Sequence, residues 1–192
     1  MSEQVVLLDA TGQAVGTAPK GSVHHADTPL HLAFSAYLFR EGGDLLVTQR
    51  APDKATFPAV WSNSACGHPA PGERLSDAVV RRVSQELGLR VTGLRLVLPR
   101  FAYRAEMDGV VENELCPVYV GVVAGEPSPD ASEVGGLEWV PWAEFADAVS
   151  EGRREVSQWC REQVTALLAL GPEPATWPTA DTRDLPPACP PE

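Results

Sequence analysis

The sequence predicts an α+β fold, a mixed α/β sandwich, from three observations. Short β-branched and aromatic runs are separated by turn residues, residues 76–87 carry apolar side chains at helical spacing, and the two patterns alternate without an internal repeat. At 192 residues the chain suits one domain with a sizeable core, and 44% apolar with 7% aromatic residues suits a globular protein.

Residues 5–8 and 31–39 read as strands, and 45–48 as a third that follows the Glu41-Gly42-Gly43-Asp44 turn in a hairpin. Residues 76–87 read as a helix, because Val79, Val80, Val83 and Leu87 recur at its period, Ser76 can cap, Asp77 suits the first turn and Gly88 stops it. Residues 112–123 read as a strand whose alternation sends Glu112, Glu114 and Cys116 to one face, with Pro117 marking an edge or bulge. A short strand at 137–140 precedes a helix opened by Pro141 and running to about residue 149. A longer helix then carries Val156, Trp159, Cys160, Val164, Leu167 and Leu168 on an apolar stripe. Residues 1–170 are thus expected to form one folded domain. Beyond Gly171 the prolines 172, 174, 178, 186, 187, 190 and 191 leave too few apolar residues to pack, so residues 171–192 are expected to be a disordered tail.

The net charge of -11 argues against nucleic acid or an anionic membrane as partner, since neither polyanion gains from meeting this surface. The N-terminal stretch lacks a cationic, apolar leader, and no run approaches the ~18 apolar residues of a membrane span. A cytoplasmic, monomeric protein acting on a small molecule is expected. Cys66, Cys116, Cys160 and Cys189 show no framework spacing and are expected as thiols.

His24-x6-His31, Cys66-Gly67-His68 and Glu112-Asn113-Glu114 place three of the four histidines beside a carboxylate pair and a thiol. Each histidine alone could be a core or capping residue, because imidazoles hydrogen-bond well without a metal; together the group reads as a centre for zinc or manganese. Two carboxylates side by side repel, so one shifts toward protonation unless a cation intervenes, and one glutamate can then serve as an acid. Cys66 reads either as a thiolate held by a metal and nearby cations or as a small buried hydrophobe.

Arg50 and Lys54 flank the Pro52-Asp53 turn, where a cation pair can hold an anion such as a diphosphate or can simply be solvated. Arg82 and Glu86 lie one helical turn apart, either as a surface salt bridge or as one cation for phosphate and one carboxylate for magnesium.

Gly67-x5-Glu73-x7-Arg81-Arg82-Val83-Ser84-Gln85-Glu86-Leu87-Gly88-Leu89 resembles the Nudix box, Gly-x5-Glu-x7-Arg-Glu-U-x-Glu-Glu-x-Gly-U with U aliphatic. It departs at Arg82 and Gln85, where the box has glutamates, two of the carboxylates that hold metal ions during pyrophosphate hydrolysis. The resemblance therefore implies a diphosphate that is gripped and not cut, with a Nudix pyrophosphohydrolase carrying a degenerate box as the alternative.

The remaining motifs, residues 24–35, Trp61-Ser62-Asn63-Ser64-Ala65-Cys66-Gly67-His68-Pro69 and Glu112-Asn113-Glu114-Leu115-Cys116-Pro117, are similar to the type I isopentenyl diphosphate isomerases. The similarity spans roughly residues 5–168 and implies the Nudix fold, a mixed β-sheet flanked by helices. It implies that His24, His31, His68, Glu112 and Glu114 ligate Mn2+ or Zn2+, with His25 only a neighbour. Glu86 and the backbone carbonyl of Cys66 would hold Mg2+ on the diphosphate, which Lys20, Arg50, Lys54 and Arg82 would meet. Cys66 and Glu114 would act on opposite faces of the substrate, Tyr103 would place a hydroxyl near the acid, and Trp159 would face the reacting carbon.

The implied reaction moves a double bond: a proton adds to the terminal alkene carbon of isopentenyl diphosphate and another leaves two positions away, giving dimethylallyl diphosphate. Glu114 is expected to deliver the first proton and a Cys66 thiolate to remove the second. The indole of Trp159, helped by Trp61, is expected to stabilise the cation-like state by ~1–2 kcal/mol.

Overall fold

The computed structural model describes residues 3–192; Met1 and Ser2, which open the stretch read as lacking a leader, lie outside the described residues. In chain order the elements are β1 (Gln4–Leu8), β2 (Ala14–Pro19), α1 (Lys20–Val23), β3 (His31–Leu32), β4 (Phe34–Arg40), β5 (Asp44–Arg50), β6 (Trp61–Ser62), β7 (Ala65–Gly67) and α2 (Leu75–Leu87). Then come β8 (Arg90–Leu98), β9 (Ala102–Met107), β10 (Val110–Leu115), β11 (Val118–Ala124), β12 (Val134–Pro141), α3 (Trp142–Ser150) and α4 (Gln158–Leu168).

Two sheets result. One runs β2-β1-β3-β10-β9, and the other runs β12-β5-β4-β11-β8 with β6 on β5 and β7 on β4. The runs 31–39 and 112–123, each expected as one strand, both divide between these sheets. The first breaks at Ala33 and the second at Cys116-Pro117. They cross side by side and in parallel: Glu114 pairs with His31 before the crossing and Val118 with Ser35 after it. The ladder carries through the bend, because Ala33 N–H donates to Leu115 O and Ser35 N–H to Pro117 O, both at 3.0 Å. Pro117, which has no N–H to give, sits where its carbonyl alone is needed.

Strand β4 shows why helices cover both faces of the second sheet. Phe34, Ala36 and Leu38 are fully buried in one cluster with Leu75, Ala78, Val79, Val83 and Leu87 of α2. Tyr37 and Phe39 alternate to the other side and pack with Trp142 and Phe145 of α3 and Trp159, Val164 and Leu167 of α4. Gly67 lets β7 and α2 approach, since a Cβ there would meet Phe34 and Arg82 carbons at 3.0 Å.

Helix α2 ends as its sequence suggests, at Gly88 with φ 65°. Its start differs. The helix begins at Leu75, Arg74 supplies no side-chain cap, and the Ser76 N–H instead donates to Glu192 Oε1 at 3.2 Å. That carboxylate comes from the segment expected to be disordered. Residues 171–192 are seated on the body, with Trp177 buried to 1% exposure against Phe39 and Trp142. A proline-rich chain offers carbonyls and few N–H groups, so donors on the body hold it. Arg95 donates to the carbonyls of Pro174 and Trp177, Arg100 to Asp184 O, and Tyr119 O–H to Glu192 Oε1. Two large apolar anchors, Trp177 and Leu185, suffice because each enters a core already built by other elements.

Replacing Trp177 with alanine should lower the unfolding free energy by roughly 3–5 kcal/mol, the range for emptying a buried aromatic site. Chemical denaturation checks this, and a loss below about 1 kcal/mol would mean the tail is not seated.

Candidate active site

The two sheets and the start of α4 enclose a cavity of about 620 Å³. His24, Cys66, His68, Tyr103, Glu112, Glu114 and Trp159 line its inner part, and Lys20, Arg50, Lys54, Arg82 and Glu86 line it as well. Of the residues given a role from the sequence, His31 and Trp61 do not line it; His31 is fully buried beside the other histidines.

The parallel β3/β10 pair sets Glu114 beside His31. His24 follows α1 on a loop tied to β10 by the Val111 N–H to His25 O bond of 3.1 Å, and His68 follows β7. One potential ligand atom from each of His24, His31, His68 and Glu114 lies within 4.8 Å of the others. His31 Nδ1–H donates to Pro29 O at 2.9 Å, which leaves its Nε2 as a lone pair turned inward. Nε2 of both His24 and His31 is buried without a hydrogen-bond partner. Burial pushes His24 down to about 4, so it stays neutral and its lone pair is available. Three imidazoles and a carboxylate with orphaned inward nitrogens fit a first-row divalent ion. His25 is exposed, and its Nδ1 accepts from Asp27 N–H.

Glu112 stands beside this four-residue group and is joined to it through Tyr103. The Tyr103 hydroxyl lies 2.8 Å from Glu112 Oε2 and 2.8 Å from Glu114 Oε2. One hydroxyl proton cannot serve two carboxylates, so both bonds form only when one carboxyl carries its own proton. Burial, then the charge of Glu114, raises Glu112 above the usual carboxylate range. Burial opposes ionisation of Glu114 too, but His31 and His68, whose Nε2 atoms lie 3.4 and 3.1 Å from its Oε1, hold it well below that range. The like-charge pair expected from the sequence is thus resolved unequally.

Cys66 pairs across the strands with Ser35, and its sulfur lies 3.4 Å from Ser35 Oγ. The thiol donates to Asn63 Oδ1 at 3.2 Å. Burial pushes it up to about 12, so the protein's own groups keep a thiol where a thiolate was expected. Arg50, whose charge favours the thiolate, is engaged elsewhere: it donates to the carbonyls of Thr56 and Phe57 and to Thr56 Oγ1. Asn63 Oδ1 also accepts from Trp159 Nε1 at 3.2 Å and from Ser62 Oγ at 2.9 Å. A single amide oxygen therefore orients both the thiol and the indole. The Trp159 ring lies 5.4 Å from that of Tyr103, whereas Trp61 stays outside the cavity with Arg154 over its ring at 5.7 Å.

Toward α2 and the Pro52-Asp53 turn the cavity wall is cationic, but each lysine there has an internal partner. Lys20 pairs with Glu3 at 2.7 Å, Lys54 with Glu133, and Arg82 with Glu86 and, at 3.5 Å, with both Glu3 and Glu133. Arg82 and Glu86 are both buried, which excludes the solvated salt bridge allowed by their spacing. Sequence reasoning missed Asn63, Ser35, Gln163, Glu3 and Glu133. Gln163, fully buried on α4, donates to Ser35 Oγ at 2.9 Å, and its amide among apolar stripe residues was a usable signal.

The Nudix domain profile matches residues 29–160. A protein of Saccharopolyspora erythraea, named isopentenyl-diphosphate Delta-isomerase, is 55% identical over 187 residues, covering 97% of this chain and 96% of its own. Proteins of the same name from Rhizobium rhizogenes and Mycolicibacterium vanbaalenii are 53% and 56% identical, covering 97% and 88% of this chain and 90% and 94% of their own. Among solved structures, a Deinococcus radiodurans protein matches with TM-score 0.65 at 18% identity, over 85% of this chain and 98% of its own. A MutT protein from Methanosarcina mazei matches with TM-score 0.57 at 19% identity, over 73% and 94%. These structures show a shared fold.

Purified protein supplied with Mn2+ or Zn2+ should retain about one equivalent by elemental analysis, and His31→Ala should lose most of it. Unchanged metal content would remove His31 from the ligand set. Replacing Asn63 with leucine should lower kcat by at least about tenfold with a smaller change in KM, because it releases the thiol and indole together.

Proposed function

The chain belongs to the isopentenyl-diphosphate Delta-isomerases of the Nudix family, and from that premise we propose how its residues divide the work of moving the double bond. The protein is an isomerase acting on a small-molecule substrate, and its mixed sheets flanked by helices are the Nudix fold. Its reaction is the 1,3-allylic rearrangement of isopentenyl diphosphate to dimethylallyl diphosphate, an isoprenoid precursor step.

The observation that carries the reading is a thiol and a carboxylate lining one cavity with an indole between the same walls. Cys66 and Glu114 exchange protons with opposite faces of the hydrocarbon. The rearrangement is reversible through one cation-like state, so each residue gives a proton in one direction and takes one in the other. Tyr103 and Glu112 support Glu114 in both roles, since the shared hydroxyl can move a proton along the carboxyl pair. Trp159 lines the cavity, and its indole π system would favour a developing cation by ~1–2 kcal/mol in a dry pocket.

His24, His31, His68 and Glu114, with Glu112 adjoining, would hold Mn2+ or Zn2+. When bound, that ion supplies positive charge beside Glu114 and fixes the carboxylate's orientation. Glu86 and the Cys66 carbonyl would hold Mg2+, and Lys20, Arg50, Lys54 and Arg82 would take the diphosphate. The diphosphate fixes a hydrocarbon too small to bind tightly by itself. Hydrolysis is disfavoured because Arg82 and Gln85 stand where the Nudix box has glutamates, leaving Glu86 without the neighbouring carboxylates that hydrolysis would need for further metal ions. No helix among the described residues is long and apolar enough to cross a membrane; action in the cytoplasm as a monomer completes the proposal.

Incubation with isopentenyl diphosphate and divalent metal should yield the dimethylallyl isomer by NMR, with deuterium incorporated from deuterated water. Cys66→Ala and Glu114→Gln should each slow both isomerisation and exchange by about 10²–10⁴-fold. Full isomerisation by either variant would overturn the two-residue scheme, and release of pyrophosphate or phosphate would favour the hydrolase.

A further inference from the structure

The cation set that the proposed function gives to the diphosphate is already bridged by the protein itself. Glu133 contacts Lys54 with one carboxylate oxygen and Arg82, at 3.5 Å, with the other. These cations come from separate parts of the chain, Lys54 from the turn after β5 and Arg82 from α2. An anion joining them must therefore occupy the span that Glu133 now fills.

The placement is built into the backbone. In the segment between β11 and β12, Ser128 N–H donates to Leu87 O and Asp130 N–H to Glu86 O, both at 2.8 Å, tying the segment to the end of α2. Glu133 N–H then donates to Asp130 O, and Glu133 O accepts from Ala51 N–H, both at 2.9 Å, tying it to the turn that carries Lys54. The carboxylate is held at this junction while remaining a quarter exposed, so an incoming anion can reach it from solvent. Glu3 pairs with Lys20 and Arg82 in a similar way, and its carbonyl accepts from Lys20 N–H at 2.8 Å, but its side chain is more than half exposed and it does not bridge Lys54 to Arg82.

We propose that Glu133 is a specificity-determining residue that stands in for a phosphoryl group and sets how much negative charge a ligand must bring to take Lys54 and Arg82 from it. A single carboxylate brings one charge. A diphosphate brings more and can reach both cations, whereas a lone phosphoryl group gains little by the exchange. The residue thus lowers affinity for every anion and lowers it most for those with one phosphorus. This inference rests on the assignment of the cation set to the diphosphate.

Calorimetric titration of the whole protein with inorganic pyrophosphate and with orthophosphate, in magnesium buffer, tests it. Glu133→Gln, which keeps shape and backbone bonds, should bind pyrophosphate about tenfold tighter and gain more for orthophosphate, so that the ratio between them narrows. Glu133→Asp, which keeps the charge, should retain the wild-type preference for pyrophosphate; thermal unfolding confirms that both variants are folded. Unchanged or weaker pyrophosphate binding by Glu133→Gln, with wild-type binding intact, overturns the role of Glu133 alone, as does loss of the preference in Glu133→Asp. Failure of the wild-type protein to bind pyrophosphate overturns the cation set and this role with it.

Discussion

The parallel pairing of two strands that change sheets together is the constraint on which the rest of the structure depends. Before the crossing it sets Glu114 against His31; after it, Ser35 faces Val118 on one side and Cys66 on the other. The imidazole–carboxylate group and the thiol are therefore anchored on one backbone segment, residues 31–35, only a few residues apart. A strand's side chains alternate, so a slip of one residue would turn His31 and Ser35 away at once. Pro117 and the Leu115 carbonyl keep the bend hydrogen-bonded, so the crossing is rigid where a loop would not be.

The site built on this frame mixes groups that folding alone would avoid. Arg82, Glu86, Glu112, Glu114 and His31 are all buried, and their desolvation is offset by one another and by polar partners such as Tyr103, His68 and Glu133. The arrangement divides them. Carboxylates and imidazoles gather on β3, β10 and the loop after β7, while cations gather on α2 and the turn after β5. A substrate with a charged end and an apolar end matches that division. The acidic surface of the whole chain and the cationic wall of one cavity are compatible for the same reason.

Much of the site was legible in the sequence because its chemistry demands rare residues in short motifs. The histidines, Cys66 and the Glu-x-Glu pair were visible by type and spacing, and α2 by its period and Gly88. Other features were not. The crossing at Ala33 leaves no mark, since residues 31–39 read as one continuous apolar strand. Strands β8 and β9 went unread; β9 alternates exposed and buried residues around Arg104, and most of β8 is exposed or half-buried and interrupted by Arg95, which dilutes the apolar signal. Glu133 lies far from any motif, and its importance comes from a fold-dependent meeting of two cations. The tail was misjudged by composition, which counts prolines but cannot show that Arg95 and Arg100 wait with unfilled donors on the surface it crosses.

The capping of α2 by Glu192 has a consequence for the order in which the molecule matures. The helix that presents Arg82 and Glu86 has no side-chain cap of its own at Arg74, and its Ser76 N–H is answered by a carboxylate 116 positions later. During synthesis that group arrives only when residue 192 has left the ribosome. Until then the helix can form from its apolar face, but its first turn stays open to water and frays. The first turn of the helix that carries Arg82 and Glu86 therefore closes only after a segment far along the chain has folded back onto it.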